Sequence, residues 1–307
     1  MLSEQALDLA IIATPNQLHA EVAETCAAHG VHILVEKPIA DTLEAGARLV
    51  AAAEAAGVSV SVGHHRRFDP AVEMAYEIVS GGEIGRLVAV SAVWAARKPD
   101  DYYEEAAWRR EPGGGPILIN LIHDIDCLRH ICGEIESVRA MTSSAAREFA
   151  VEDTAAILVA FESGALGTVT ISDAAPSPWG WEAGSNDNPM IAASGENCYR
   201  FLGSKAAYDF PNPAIWRHIA DGDGAGGGGE TGDWRDEFAR ETTDLRPRQA
   251  LADQLRHLCR VARGEDVPRV SGHEGLRTLA ATLAVHEAAR TGGTVRPADL
   301  LARASGG

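Results

Sequence analysis

Two stretches of this 307-residue chain carry residue types able to bind and move protons. In Val31–Pro38, Val-His-Ile-Leu-Val-Glu-Lys-Pro, an apolar run ends in a carboxylate, an amine and a proline. Such a run reads as a strand buried on both faces of a parallel sheet, and ligands of these sheets bind just beyond the strands' carboxyl ends. Lys37 therefore stands where chemistry would happen, with Pro38 ending the ladder and biasing Lys37 towards an extended backbone. For a lone lysine the plainer reading is a surface side chain after a strand; the motifs around this one argue otherwise. The second stretch is Gly113 to Asp126, three glycines, Pro116 and an apolar run holding Asn120 and His123. Glycines followed by proline at a first helical position predict a helix start, with the helix running to about Cys132. Asn120, His123 and Cys127 then share one stripe, and His130 lies a turn further on. A hydrogen-bonded histidine on a mostly apolar helix is the plainer reading of His123. His64, His65, His123, Asp126 and His130 match no defined ligand spacing such as H-E-x-x-H, so no metal is expected.

The elements that must position these residues follow from periodicity. Leu9–Ala13 is strand-like, and Leu18, Val22 and Cys26 repeat at helical spacing up to Gly30. After the Val31 strand, Asp41 with Glu44 three residues on resembles a capping box, opening a helix with Leu43, Ala47 and Val50 buried and an end near Gly57. Val58–Val62 is a third strand. This β-α-β-α-β unit is half of a doubly wound parallel sheet. A complete dinucleotide-binding domain would open with a strand and a G-x-G-x-x-G turn. No such turn precedes Leu9; the pattern occurs at Gly222–Gly227 and again from Gly224, in a glycine-rich stretch read as a mobile surface loop. The same stretch imitates a calcium loop from Asp221, but its twelfth position is Gly232 where a bidentate Glu is needed.

Residues 63–82, with Gly63-His64-His65-Arg66-Arg67-Phe68, read as a hinge and a helix with Val72, Ala75 and Val79 on one side. From Arg86 the period becomes two, with Val88, Val90, Ala92 and Trp94 on one face. Ala155–Phe161 and Ala165–Ile171 form a candidate hairpin, as do Tyr199–Leu202 and Ala206–Phe210, so an antiparallel sheet is expected. Helical patterns return over about 248–261 and 273–289.

Composition bounds the partners. At 46% hydrophobic and 23% charged the chain reads as globular. A formal net charge of −17 and no Lys/Arg run argue against nucleic acid or an anionic membrane. No signal peptide or long apolar span is apparent, so a cytoplasmic location is expected. Five cysteines without C-x-x-C spacing read as small buried side chains.

Taken together, Thr14-Pro15-Asn16 with His19, Glu36-Lys37-Pro38, Gly63–Phe68, Trp108-Arg109, the Gly-Gly-Gly run with His123, and His286–Gly292 resemble the glucose-fructose oxidoreductase/inositol dehydrogenase/MocA (Gfo/Idh/MocA) family across nearly the whole chain. The resemblance implies a Rossmann-like α/β domain over 1–66, here lacking its first βαβ segment, and an α+β domain over 67–307 with an open, mostly antiparallel sheet. Its C-terminal helices are candidates to pack back on the first domain. It implies NAD or NADP as cofactor, hydride transfer on a sugar, cyclitol or related hydroxy or keto compound, and a homo-oligomer, a dimer or a tetramer. By the same resemblance Thr14, Pro15, Asn16, His19, Glu36, Lys37 and Pro38 lie beside the cofactor, Lys37 contacts the reacting oxygen, and His123 is the catalytic histidine. Arg67, Trp108, Arg109, Asn120 and His123 are expected to line the substrate. The family often has Asp four residues before this histidine, where this chain has Ile119; Asn120 can hydrogen-bond but does not ionise, which alters the proton relay. The missing segment would leave strand Leu9–Ala13 with an unpaired apolar edge. Two alternatives remain: a cofactor-impaired, non-catalytic sugar-binding or regulatory relative, and a lyase using Lys37 as a Schiff-base nucleophile.

Overall fold

The computed structural model describes residues 6–219, 232–245 and 249–304. The glycine-rich pattern at Gly222–Gly227 and most of the calcium-loop imitation therefore lie outside the described residues. The first sheet holds β1 (Leu9–Ile12), β2 (His32–Val35) and β3 (Val60–Val62), paired parallel in the order β1-β2-β3. Helix α1 (His19–Ala28), preceded by a 3₁₀ turn at Asn16–Leu18, and α2 (Leu43–Ala56) connect them. Ile33 and Val35 are fully buried, as a two-faced strand requires. The cap of α2 differs from expectation: Thr42, not Asp41, accepts the backbone N–H of Ala45 at 3.2 Å. The helix begins one residue later than the Asp41–Glu44 spacing suggests, and the hydroxyl at the boundary takes the free N–H. Among the described residues β1 pairs only with β2, and its Ile11 is 55% exposed.

Helix α3 (Pro70–Ser80), capped by Asp69, leads to the second sheet. Its strands are β4 (Leu87–Ala95), β5 (Ile135–Ser143), β6 (Thr154–Phe161), β7 (Leu166–Ser172), β8 (Tyr199–Gly203), β9 (Ala207–Phe210), β10 (Ala214–His218) and β11 (Phe238–Thr242). The order is β11-β10-β9-β8-β4-β7-β6-β5, antiparallel throughout except β4 with β7. Both expected hairpins are present. A bulge between Leu87 and Ala89 changes the phase at the start of β4, so Leu87 joins Val90, Ala92 and Trp94 inside while Val88 is exposed. The helices of this half are the short α4 (Asp100–Glu104), α5 (Ile122–Cys132) and the short α6 (Trp181–Ser185).

Helices α7 (Ala250–Ala262), α8 (Gly272–Thr291) and α9 (Pro297–Ala304) close the chain. Val62 N donates to Val270 O at 2.9 Å, so the segment before α8 covers the far edge of β3. Along α8, Leu276, Leu279 and Ala280 pack in the core of the first sheet, whereas Ala281, Ala284, Val285 and Ala288 pack in that of the second. One helix thus ties both layers together. No helix among the described residues is long and apolar enough to cross a membrane. All five cysteines are free; four are buried and Cys259 is half-buried.

Candidate active site

The loops after β1 and β2 meet at the carboxyl edge of the parallel sheet. His19 joins them: its Nδ1 lies 2.8 Å from Pro38 O and its Nε2 2.9 Å from Thr14 O. Both loops are thereby held by one buried imidazole at the start of α1. Beside them Gly63 follows β3, and a Cβ there would stand 2.7 Å from Glu36 Oε2 and 3.1 Å from Glu36 Cα. Only glycine lets the Glu36-Lys37 turn pack this tightly.

Lys37 points across to the other half of the molecule and donates from Nζ to Ile119 O at 2.9 Å. Ile119 belongs to a π-helical turn, Ile117–Leu121, that widens the chain just before α5. Such turns recur at functional sites because the wider ring displaces backbone carbonyls and side chains. Sequence periodicity predicts a plain helix here, and one extra residue per turn leaves no compositional trace. The turn is seated by Glu152, whose Oε1 accepts Ile117 N at 3.2 Å and occupies the space that a Cβ at Gly115 would need. Gly114 is equally restricted, against the backbone of Trp108 and Arg109.

His123 follows one turn later, with a partly exposed edge and an Nδ1 that has no partner among the described residues. Its ring makes edge contacts with those of His65 and His64, at centroid separations of 5.5 and 6.1 Å. Burial, and then the charge of Lys37, hold His123 well below the usual imidazole range, so the ring is neutral near pH 7. Burial also brings Lys37 down to about 8, against the opposing pull of Glu36. An ammonium poised near working pH thus faces a neutral imidazole. Beneath them Arg66 is buried between Asp124 (3.1 Å) and Glu182 (2.8 Å), with Tyr199 also bonded to Asp124. His65 is steadied by Asp187 at 3.2 Å.

Of the residues expected to contact substrate, Trp108 is 52% exposed at the rim, and Arg109 lies 3.8 Å over the Tyr102 ring. Asn120 is partly exposed and accepts Lys98 Nζ at 2.8 Å. Arg67 is different. Its guanidinium is buried in a two-bond pair with Asp126 (2.8 and 2.7 Å) and reaches Glu274 at 3.2 Å, fastening the start of α3 to α5 and α8. It is a strut beneath the site, a correction the sequence could not supply because a paired buried arginine and a ligand-binding one look alike there. Cys127 lies in the core and His130 stacks on Tyr76 at 4.6 Å, so only Asn120 and His123 of the expected stripe reach the site. No group of three or more His, Cys, Asp or Glu among the described residues is placed to hold a metal. A cavity of about 740 Å³ lined by Asp69, Asp187, Arg240 and Asp244 contains neither Lys37 nor His123.

Lys98 is the residue that sequence reasoning missed. It bridges Asn120 and Asp173, the latter at 3.4 Å, and burial lowers its pKa. A signal existed: Lys37-Pro38 follows β2, and Lys98-Pro99 follows β4 in the same way.

These residues suit the nicotinamide end of a dinucleotide. Thr14 Oγ1 is buried with no partner among the described residues, and the shelf of loops 14–16 and 36–38 lies where ligands of parallel sheets bind. Among the described residues no glycine-rich turn joins a strand to a helix at this edge, so no pyrophosphate contact is assigned.

Comparison with known proteins gives the family and the fold. A family model described as an oxidoreductase family with an NAD-binding Rossmann fold matches residues 1–64, and the GFO/IDH/MocA C-terminal domain matches residues 72–209. The chain is 33% identical over 168 residues to the 1,5-anhydro-D-fructose reductase of Ensifer adhaerens, covering 54% of this chain and 50% of that one. It is 25% identical over 295 residues to a D-xylose 1-dehydrogenase (NADP(+)) of Haloferax volcanii, covering 96% and 82%. In several of these matches the chain spans about half the length of the curated relative, or less. Among solved structures, the WlbA dehydrogenase from Bordetella pertussis in complex with NADH and UDP-GlcNAcA superposes with a TM-score of 0.73 at 25% identity, covering 96% of this chain and 81% of that one.

Proposed function

We propose, from the premise that the chain belongs to the GFO/IDH/MocA oxidoreductase family, that it is an NAD(P)-dependent dehydrogenase or reductase. Its substrate is a CH–OH group, or the matching carbonyl, of a sugar, cyclitol or related small molecule. The observation that carries this reading is the meeting of the Lys37 ammonium and the neutral His123 at the carboxyl edge of the parallel sheet. The bound nicotinamide supplies the hydride acceptor in oxidation and the donor in reduction.

The chain's own residues manage position, charge and the proton. Thr14, Pro15, Asn16, His19, Glu36 and Pro38 form the shelf beside the nicotinamide. Oxidation removes a hydride from carbon and a proton from oxygen, leaving a carbonyl. Lys37 donates a hydrogen bond to that oxygen and stabilises the negative charge that develops as its proton leaves. His123, neutral, takes the proton and passes it to solvent; in reduction it returns one. Trp108, Arg109 and Asn120 bound the substrate's remaining hydroxyls. Replacing His123 with Ala should lower turnover roughly 100-fold or more; near-normal turnover would remove it from the mechanism.

Lys37 at about 8 also suits a Schiff-base lyase. Borohydride trapping of a carbonyl substrate on Lys37 would favour that chemistry; clean NAD(P)H formation without trapping favours the dehydrogenase. The outer face of the second sheet exposes Met141, Leu158, Leu166 and Leu202, which supports a homo-oligomer, a dimer or a tetramer, assembled through that face.

A further inference from the structure

We propose that the substrate is a sugar acid, whose carboxylate is held by Lys98 and Arg109 while Lys37 and His123 act on a hydroxyl. This deepens the dehydrogenase reading and rests on it for the site's location. The two lysines are anchored on neighbouring residues: Lys37 on the Ile119 carbonyl and Lys98 on the Asn120 side chain. Those α-carbons are about 3.8 Å apart, so both ammonium groups lie within reach of one sugar ring, and Lys98 contributes to the lowered pKa of Lys37.

Charge around Lys98 is unevenly matched. Among the described residues Asp173 is its one carboxylate partner, and that buried group is shared: Oδ2 takes Lys98 and the Tyr103 hydroxyl, while Oδ1 takes Arg147 Nε at 3.2 Å. This one buried negative charge is thus shared by two cations, the other acid paired with either being the exposed Asp100, 3.8 Å from Arg147. Arg109 adds a third, with Lys98 and Arg109 both against the Tyr102 ring at 5.0 and 3.8 Å. Among the described residues Arg109's protein hydrogen bonds both leave from Nη1, to Tyr102 O and to the exposed Glu105, and its Nε is buried with no partner. A guanidinium edge of this kind matches the two oxygens of a carboxylate. The acids of residues 100–111 all face solvent, whereas Arg109 and Arg110 are half-buried. This inward excess of cations arises in a chain of net charge −17, where acids outnumber bases 44 to 27. A neutral polyol has no need of it.

The test pairs D-glucuronate with D-glucose and D-galacturonate with D-galactose. Binding to the full chain is measured by saturation-transfer NMR in the presence of NADH, and initial rates are measured with NAD⁺ and NADP⁺. The acid of each pair should bind more tightly, with a preference that weakens as salt rises. Lys98→Met and Arg109→Met should each lower the acid-to-neutral ratio about tenfold or more, while Lys98→Arg retains it. If Lys98→Met does not fold, the Lys98→Gln variant and the salt dependence of the wild-type chain carry the same readout. Equal binding of acid and neutral sugar, or a preference that survives loss of both cations, overturns the proposal. Neutral sugars oxidised without acid preference would leave the dehydrogenase reading standing and remove the carboxylate site. Acid binding that depends on Lys98, with no turnover of any sugar, would keep the site and remove the dehydrogenase reading.

Discussion

Replacing Lys37 with Met should make the protein no less stable and far less active. Burial lowers this ammonium from 10.5 to about 8, which corresponds to about 3 kcal/mol against the charged form. The bond to Ile119 O returns part of that, since a charged donor to a carbonyl is worth roughly 1.5–3 kcal/mol. Methionine fills similar space without charge, so its net effect on stability should lie between about 0 and 2 kcal/mol in favour of the variant. Activity should fall roughly 100- to 1000-fold, the loss seen when a donor to a developing oxyanion is removed. Urea denaturation and initial rates on the same preparation measure both. The pH profile gives the sign independently. With Lys37 as a charged donor, the oxidation rate should decline as pH rises through about 8, and Lys37→Arg should lack that decline. A rate that instead climbs through pH 8 would make Lys37 the base and reverse the roles assigned to it and His123. A Lys37→Met variant within a few-fold of wild-type activity would refute the reasoning outright.

Three further outcomes test the framework around the site. Arg67→Met should destabilise the fold by about 3–5 kcal/mol in chemical denaturation, because Asp126 is left buried without its two-bond partner; a loss confined to substrate KM would restore Arg67 as a ligand-binding residue. Gly63→Ala forces its new methyl against Glu36 and should cost about 1–3 kcal/mol with a disproportionate loss of turnover, read by thermal melts beside kinetics. Thr42→Ala should cost about 1 kcal/mol in denaturation, whereas Asp41→Ala should cost far less, since Thr42 caps α2.

The parts of the site legible in the sequence are those set by local pattern. Residues 31–38 announce β2 because three apolar residues, Ile33-Leu34-Val35, run unbroken into Glu-Lys-Pro, and the glycines before Pro116 announce a helix start, with side chains at Gly114 and Gly115 colliding with Trp108, Arg109 and Glu152. What local pattern cannot show is which element ends come side by side. Lys98 stays hidden because periodicity tells where β4 ends but not that its end approaches the π-helical turn bearing Asn120. Arg67 misleads for the same reason, its partners Asp126 and Glu274 being 59 and 207 residues away. Strand β5 is obscured by Glu136 and Arg139 on its exposed side, and β10 and β11 are short strands at the sheet edge with little buried surface to set a pattern.

The most direct test of the central claim is hydride transfer itself. The full chain is mixed with NAD⁺ or NADP⁺ and a panel of sugars, cyclitols and sugar acids, and nicotinamide reduction is followed by absorbance beside the His123→Ala variant. The account predicts reduction with at least one hydroxy substrate, lost in the variant. Reduction that proceeds equally without His123, or none with any substrate despite measured cofactor binding, would contradict it.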